Sequence, residues 1–234
     1  SKETHKSLSN PGVNTTHVMV FLMRSKHLSV HREACRCVSN MVSSKAFQQL
    51  FIEDGGLVSL YRLCRSLDLE TLLCCSIIFR KLTSQLPNHN HIISKGGLAP
   101  LQILTRTEDI TINRQAAAAM RDLSSHQDFK VVLAEEGCLK RAIELTRHEN
   151  LDLRILGMGT IRHLSIHTRV KRPIIQEGAL GPIFLAIEDP LQDIDLIRQC
   201  SAIIANCAEN GENQITLVKD GMLPHLVHLG EIQH

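Results

Sequence analysis

The 234-residue sequence predicts an all-α solenoid of about five helical repeats. Three observations favour this fold class: a glycine recurs about every 41 residues, apolar residues between those glycines have helical spacing, and no segment shows sustained period-2 alternation. Hydrophobic residues make up 43% of the chain but aromatic residues only 3%, so aliphatic side chains must build the core. One repeat cannot bury its apolar face alone, and stacked repeats would therefore share a continuous core.

The predicted repeat junctions are short glycine-containing segments such as 93–101 (ISKGGLAPL) and 175–183 (IQEGALGPI). Their glycines, separated by 41, 41, 41 and 43 residues, are Gly55, Gly96, Gly137, Gly178 and Gly221. Glycine readily adopts the positive φ that ends one helix before the next begins. Pro100, Pro182 and Pro224 follow at first-turn positions, where a helix needs no N–H donor.

After each glycine the sequence predicts a short helix, as at 98–105 and 139–147, then a polar turn and a longer apolar helix. The longer helices carry apolar residues at i, i+3, i+4 and i+7, which is the amphipathic pattern. They are predicted over 31–42, 70–86, 112–125, 153–166 and 194–208, with a shorter helix over 18–23 near the start.

The predicted organisation is a flexible polar tail over 1–12 and a single domain over 13–234. The repeats are expected at 13–54, 55–95, 96–136, 137–177 and 178–220, with a partial cap at 221–234. The helices at 18–23 and 223–232 are expected to cover the two ends of the core, because an end repeat lacks a neighbour on one side.

The period, the glycine junction and the ends of the long helices together resemble armadillo repeats. The best matching ends are 35–43 (CRCVSNMVS), 119–124 (AMRDLS) and 160–165 (TIRHLS). The resemblance covers nearly all of 13–234 and implies a right-handed superhelix whose third helices line a concave groove. HEAT repeats have a similar period, but their helix pairs usually lack this glycine-rich junction.

In armadillo proteins a ladder of Asn residues on the third helices commonly clamps the backbone of an extended peptide. The resemblance places that ladder at Asn40, Lys81, Asp122, His163 and Asn206. Only the first and last positions keep Asn, which puts the clamp in doubt for the middle repeats. Four residues earlier, where nuclear-import receptors of this family have Trp, stand Arg36, Ile77, Ala118, Gly159 and Ala202. Binding of a basic nuclear-localisation signal is therefore disfavoured.

Two further sets of polar residues recur in phase with the ladder. Four residues after the ladder positions stand Ser44, Gln85, His126, His167 and Asn210. The last four are expected to share a helix face with their ladder residue, as a ligand groove or as an unused polar surface. Arg80, Arg121 and Arg162 precede the ladder; they would bind carboxylates of a partner or form ion pairs between repeats with acids such as Asp122. The predicted partner-binding groove comprises Arg36, Asn40, Arg80, Lys81, Gln85, Arg121, Asp122, His126, Arg162, His163, His167, Asn206 and Asn210.

No motif for catalysis, phosphate binding or dinucleotide binding is present, so the sequence predicts no enzyme, catalytic residue or cofactor. His163 and His167, or His225 and His228, have spacings seen in metal sites but lack converging third ligands. These histidines, with His89 and His91 beside a predicted turn, are interpreted as surface or groove residues.

A formal net charge of +2 and 3% aromatic residues argue against nucleic-acid binding. The cysteines most clearly inside apolar helical runs are interpreted as reduced core residues; they are Cys35, Cys37, Cys74, Cys75, Cys200 and Cys207. No apolar run is long enough to span a membrane and no signal peptide is visible, so the predicted location is cytoplasmic.

The predicted function is a protein-interaction scaffold or adaptor. The chain also resembles the armadillo-repeats-only proteins of apicomplexan parasites. That resemblance implies an adaptor on the cytosolic face of the rhoptry membrane, tethered by an acylated N-terminal segment that these 234 residues do not contain, with a myosin motor and other adaptors as partners. The alternative is a nucleocytoplasmic-transport or junctional adaptor that binds an extended peptide.

Overall fold

A computed structural model describes residues 15–189 and 193–231, and all regular structure within these ranges is helical. The predicted tail over 1–12 lies outside the described residues. The chain divides into two compact units, one ending at Ala116 and the other beginning at Ala117. The predicted single domain stays a prediction, and each unit is described by itself. None of the helices described is both long and apolar enough to cross a membrane.

Between residues 15 and 116 the first unit contains seven whole helices, in the repeating order short, long, short, and the beginning of an eighth. These are α1 (Thr15–Met23), α2 (Leu28–Met41), α3 (Lys45–Glu53), α4 (Gly56–Leu63), α5 (Leu69–Thr83), α6 (Leu86–Ser94), α7 (Leu98–Leu104) and α8 (Ile110–Ser124). Its core is aliphatic, with a few aromatic residues: Leu60, Ile78 and Leu82 are fully buried, and the Tyr61 ring stacks on Phe79 with centroids 5.6 Å apart.

The second unit begins within α8 and continues the same order. After a 3₁₀ turn at Gln127–Phe129, its helices are α9 (Lys130–Glu135), α10 (Cys138–Leu145), α11 (Leu151–Ser165), α12 (Thr168–Gln176), α13 (Leu180–Glu188), α14 (Ile194–Ala208), α15 (Gly211–Lys219) and α16 (Met222–Glu231). Close helix packing depends on Gly157, because a Cβ there would lie 2.7 Å from the Ala142 carbonyl oxygen.

The five junction glycines adopt the backbone conformation that the sequence predicts. Their φ angles lie between 77° and 87°, in the left-handed region that L-residues with a side chain rarely occupy. Gly137, for example, separates the end of α9 from the start of α10. Each junction glycine therefore separates two short helices at the same position of the repeat.

Four of the five long helices end one to three residues earlier than predicted, because a separate short helix or 3₁₀ turn follows closely. The predicted helix over 70–86 ends at Thr83, and Gln85 adopts an extended conformation (φ −115°, ψ 113°) before α6 begins. Helix α6 contains His89 and His91, which were expected beside a turn. The interpretation of His89 as a surface or groove residue is wrong, because its ring is buried and its Nε2 lies 2.6 Å from the Thr83 carbonyl oxygen.

Two further expectations concern exposure. Cys37 is exposed rather than in the core, because a residue two positions after the buried Cys35 points to the other side of α2. The expected end helices also present apolar residues to solvent: Phe21 of α1 is 69% exposed and Val227 of α16 is 63% exposed. Terminal repeats that cover a core normally have a polar outer face.

Candidate functional site

In the first unit, the two predicted ladder residues behave differently. Asn40, near the end of α2, is exposed. Lys81, near the end of α5, is half-buried and reaches back to the preceding long helix. Its Nζ donates to the Ser39 carbonyl oxygen at 2.7 Å and to Ser43 Oγ at 2.9 Å. Lys81 therefore joins two successive repeats of this unit.

In the second unit, two ladder residues make the same kind of backward contact. His163 Nδ1 lies 3.1 Å from Ser124 Oγ and 3.2 Å from the Arg121 carbonyl oxygen. Asn206 Nδ2 donates to Ser165 Oγ at 2.8 Å. Hydrogen bonds between successive repeats therefore explain part of the regular recurrence of polar residues that predicted a binding groove.

The environment of His163 lowers its pKa below the ordinary value of 6.5. Burial is the largest cause, because it disfavours the charged imidazolium. The contact with the Arg121 carbonyl acts in the opposite direction, and the positive charges of Arg162, Lys130 and Arg121 lower the pKa further. Three neighbouring cationic side chains thus add to the effect of burial in keeping the pKa of His163 low.

The expectation that each ladder residue shares a helix face with the polar residue four positions later is wrong. Gln85, His126, His167 and Asn210 all lie beyond the long helices, at the N-cap of the next helix or 3₁₀ turn. At the last three sites the side chain accepts a backbone N–H: His126 Nδ1 from Asp128 at 3.3 Å, His167 Nδ1 from Arg169 at 3.2 Å, and Asn210 Oδ1 from Asn213 at 3.1 Å.

The physical reason is that a short polar side chain can bond to nearby backbone N–H groups in an extended conformation. It therefore competes with continuation of the helix. Ser44 occupies the same position before α3 and accepts the Phe47 N–H at 3.5 Å. Periodicity alone did not separate this N-cap set from the ladder.

Arg121 and Arg162 lie beside His163 in the second unit. A Cβ added at Gly159 would be 3.1 Å from Arg121 Cδ, so the Arg121 stem lies flat on α11 one turn before His163. The Arg121 guanidinium is 3.6 Å from Asp122, which is longer than a hydrogen bond. Arg162 Nη2 lies 3.5 Å from His163 Nε2, and Arg162 Nε is buried without an acceptor among the described residues.

The arginines of α2 in the first unit have carboxylate partners. Arg32 donates to both carboxylate oxygens of Asp68 at 2.6 and 3.1 Å, and Arg36 lies 3.3 Å from Glu70. Burial acts to raise the pKa of Asp68, but hydrogen bonds from Thr71 and Arg32 outweigh it, and the pKa lies below its ordinary value. The positive charge near the first long helix is thus neutralised within the unit.

A set of buried polar residues escaped the sequence analysis. Side chains near the start of several short helices donate to the carbonyl oxygen six residues earlier, at the end of the preceding long helix; they include Gln48 (to Val42, 2.8 Å), Lys130 (to Ser124, 2.9 Å) and Asn213 (to Cys207, 3.1 Å). His89 makes the equivalent contact. Gln48, His89 and Lys130 are separated by 41 residues, and this was the available signal.

Lys130 is the charged member of this set. It is 1% exposed, and its ammonium contacts only carbonyl oxygens in the part of the chain that the structure describes. Burial lowers its pKa from the ordinary value of 10.5. Lys171, at the same register, instead pairs with the carboxylate of Glu209.

Within residues 15–189 and 193–231, no group of three or more His, Cys, Asp or Glu side chains could hold a metal ion. His225 stacks on Phe184 with ring centroids 4.2 Å apart. All eight cysteines are free, and burial raises the pKa of Cys200 and of Cys207 to about 12. These two thiols are therefore protonated and poorly nucleophilic at neutral pH.

No protein-family model matches the chain, and no curated protein matches it. Solved structures do match. A structure described as computationally designed armadillo repeat proteins for modular peptide recognition aligns over 94% of this chain and 93% of its own, with 22% identity and a TM-score of 0.85.

Two more designed proteins are similar. The designed armadillo repeat protein YIII(Dq)4CqI has a TM-score of 0.80 and 22% identity over the same shares of both chains. The designed armadillo repeat protein YIII(Dq.V1)4CPAF, in complex with peptide (KR)4, has a TM-score of 0.79 and 23% identity over 90% of each chain. The chain therefore has the armadillo-type α-solenoid fold, and the predicted fold class is confirmed. At these identities the similarity concerns the fold alone.

Proposed function

We propose that this chain is a protein-interaction scaffold that binds extended segments of partner polypeptides along its long helices. The observation that carries the proposal is the recurrence of polar and charged side chains at one phase of helices that otherwise bury apolar residues. Asn40 and Arg36 in the first unit, and Arg121, Arg162 and His163 in the second, are not fully buried. The role requires no catalytic residue and no cofactor.

The fold supports the same proposal, because one structural neighbour is described as designed for modular peptide recognition and another as a peptide complex. Affinity would come from a few anchoring side chains, while the remaining contacts supply complementarity. The hydrogen bonds of Lys81, His163 and Asn206 to preceding repeats would hold the long helices in register for the ligand.

Selection of binders from a random peptide library, followed by photo-crosslinking, tests this proposal. A photo-crosslinking residue replaces Asn40 on α2 in one variant and Gln49 on α3 in the other. Gln49 is the matched control because it lines a surface depression of about 430 Å³ between α3 and α6, away from the long helices. We expect selected peptides to crosslink at position 40 and not at position 49. Crosslinks at position 49 alone would move the binding surface to the short helices.

The resemblance to apicomplexan armadillo-repeats-only proteins suggests a more specific form of this proposal. In that form an acylated N-terminal segment tethers the scaffold to the rhoptry membrane, and the repeats recruit a myosin motor and other adaptors to position the organelle. Purification of partners from apicomplexan lysate with the 234-residue chain tests it. Enrichment of a myosin would support the specific form, and its absence would leave only the general scaffold.

A further inference from the structure

We propose that the second unit binds an acidic segment of a partner polypeptide at Arg121, Arg162 and His163, which we call the cationic surface; the inference rests on the proposed function and names the chemistry of the ligand. The three residues come from two successive long helices, α8 and α11. His163 contacts the Arg121 carbonyl oxygen, and its ring lies beside the Arg162 guanidinium. A Cβ at Gly159 would lie 3.1 Å from Arg121 Cδ, so the Arg121 stem packs on α11 one turn before His163.

The charges of the cationic surface are poorly neutralised from within the unit. In the described chain, Arg121 has one carboxylate partner, Asp122, beyond hydrogen-bond distance, and Arg162 has none. Lys130, buried beside the Ser124 carbonyl, adds a third positive charge without a carboxylate. The arginines of α2, in contrast, bind Asp68 and Glu70.

The unmet hydrogen-bonding capacity also points to a carboxylate ligand. A guanidinium presents five donors in a planar fork that matches the two oxygens of a carboxylate. In the described ranges Arg162 Nε is buried without an acceptor, and Arg162 Nη2 lies 3.5 Å from His163 Nε2. Because Nε is enclosed, an incoming Asp or Glu side chain would bind the terminal nitrogens of this part-buried arginine.

The spacing suits an extended segment. Packed helices lie about 8–10 Å apart, and side chains on one face of an extended chain recur about every 6–7 Å. Carboxylates at every second residue can therefore reach Arg121 and Arg162 together. A neutral peptide of the same length would lack the charge-assisted hydrogen bonds, and a basic peptide would meet like charge.

The test measures binding of three fluorescent peptides to the whole 234-residue chain: (Glu-Gly)4, (Gln-Gly)4 and (Lys-Gly)4. We expect the acidic peptide to bind most tightly, with an affinity that falls steeply toward about 1 M salt. The Arg121→Gln/Arg162→Gln variant should bind it about tenfold more weakly or worse. The Arg121→Lys/Arg162→Lys variant keeps both charges, so its affinity for the acidic peptide should lie between those of the wild type and the Gln variant.

The matched control is Lys140→Gln/Arg147→Gln, which removes two positive charges from exposed positions of the same unit near α10. We expect it to change the affinity by less than about twofold, because exposed charges away from the ligand are screened. Circular dichroism and thermal melting establish that each variant is folded.

An equal loss of affinity in the control and in the Gln variant would mean that net charge, and not this site, determines binding. That result would overturn the inference. Equal or tighter binding of (Gln-Gly)4 or (Lys-Gly)4 would overturn the acidic ligand while leaving the peptide-binding scaffold intact. Failure of all three peptides would also overturn the inference, and the library selection would still decide the proposed function separately.

Discussion

Asn206 Nδ2 donates a hydrogen bond to Ser165 Oγ at 2.8 Å, so a side chain expected to clamp a partner is bonded to the preceding repeat. Ser165 Oγ in turn donates to the Arg162 carbonyl oxygen at 2.8 Å, at the end of α11. The ladder Asn thus completes a chain of hydrogen bonds between α14 and the last turn of α11. Its equivalent in the first unit, Asn40, is exposed.

This difference predicts unequal stability effects for one substitution at two ladder positions. Asn206→Ala should lower the free energy of unfolding by about 0.5–1.5 kcal/mol, the usual net value of one hydrogen bond. Asn40→Ala, the matched control at an exposed site, should change it by less than about 0.5 kcal/mol. Urea denaturation followed by circular dichroism measures both. Equal losses would mean that the contact to Ser165 contributes nothing.

Substitution of a junction glycine should destabilise the chain through backbone conformation alone. Gly96 has a φ of 77°, and a Cβ there would meet nothing within 4 Å. Gly96→Ala should therefore cost about 1–2 kcal/mol, the penalty of a left-handed conformation for an L-residue.

Gly211, the first residue of α15, is the control because an added Cβ also meets nothing there within 4 Å, but its φ is not positive. Gly211→Ala should be neutral or stabilise by up to about 1 kcal/mol, because it removes conformational freedom from the unfolded chain. Urea melts of both variants compare them directly. Destabilisation by Gly211→Ala would mean that loss of glycine, and not the left-handed φ, costs stability.

Two substitutions at Lys130 separate its charge from its hydrogen bond. Gln stands at the same register in Gln48 and donates to the equivalent carbonyl oxygen. Lys130→Gln should therefore match or exceed the wild type in stability, because it keeps a donor without burying a charge. Lys130→Met should be less stable than Lys130→Gln by about 1 kcal/mol, because the Ser124 carbonyl loses its donor. Urea denaturation of the three proteins in one buffer tests the order, and a less stable Gln variant would contradict it.

The lowered pKa of His163 predicts a pH dependence of stability. Below pH 6.5 the unfolded chain binds a proton at this residue more readily than the folded chain does. Stability should therefore fall as the pH decreases from 6.5 through the lower folded pKa, and this loss should be absent above pH 6.5.

The matched variant is His163→Asn, because Asn occupies two other ladder positions and cannot titrate. We expect the wild type to lose more unfolding free energy than the variant as the pH drops from 7 to 5. Urea denaturation of both proteins at each pH measures this loss. Equal losses in the two proteins would contradict a lowered pKa of His163. A larger loss in the variant would mean that folding raises this pKa.

Much of the fold was predictable because its signals are local. The glycines at 41-residue spacing lie at positive φ, and the long helix over 194–208 has the predicted bounds. The additional short helix after each long helix, such as α6, was not located, because the two-residue break at Ser84 and Gln85, of which only Gln85 is extended, leaves no mark in the apolar period. The candidate site was less predictable, since Gln85, His126, His167 and Asn210 keep the ladder period while serving as N-caps.

Sequence alone determined the helical repeat, its phase and the class of fold, because the φ of a glycine and the spacing of apolar residues are properties of a short stretch of chain. Tertiary structure alone decided what each polar residue does. Asn206 and Asn40 share a residue type and a phase, yet among the residues that the structure describes only Asn206 has a hydroxyl from the preceding repeat within 3 Å. Arg36 and Arg121 likewise differ in whether a neighbouring carboxylate lies within hydrogen-bond reach. Such distances depend on residues some 40 positions apart that come together only when the repeats stack.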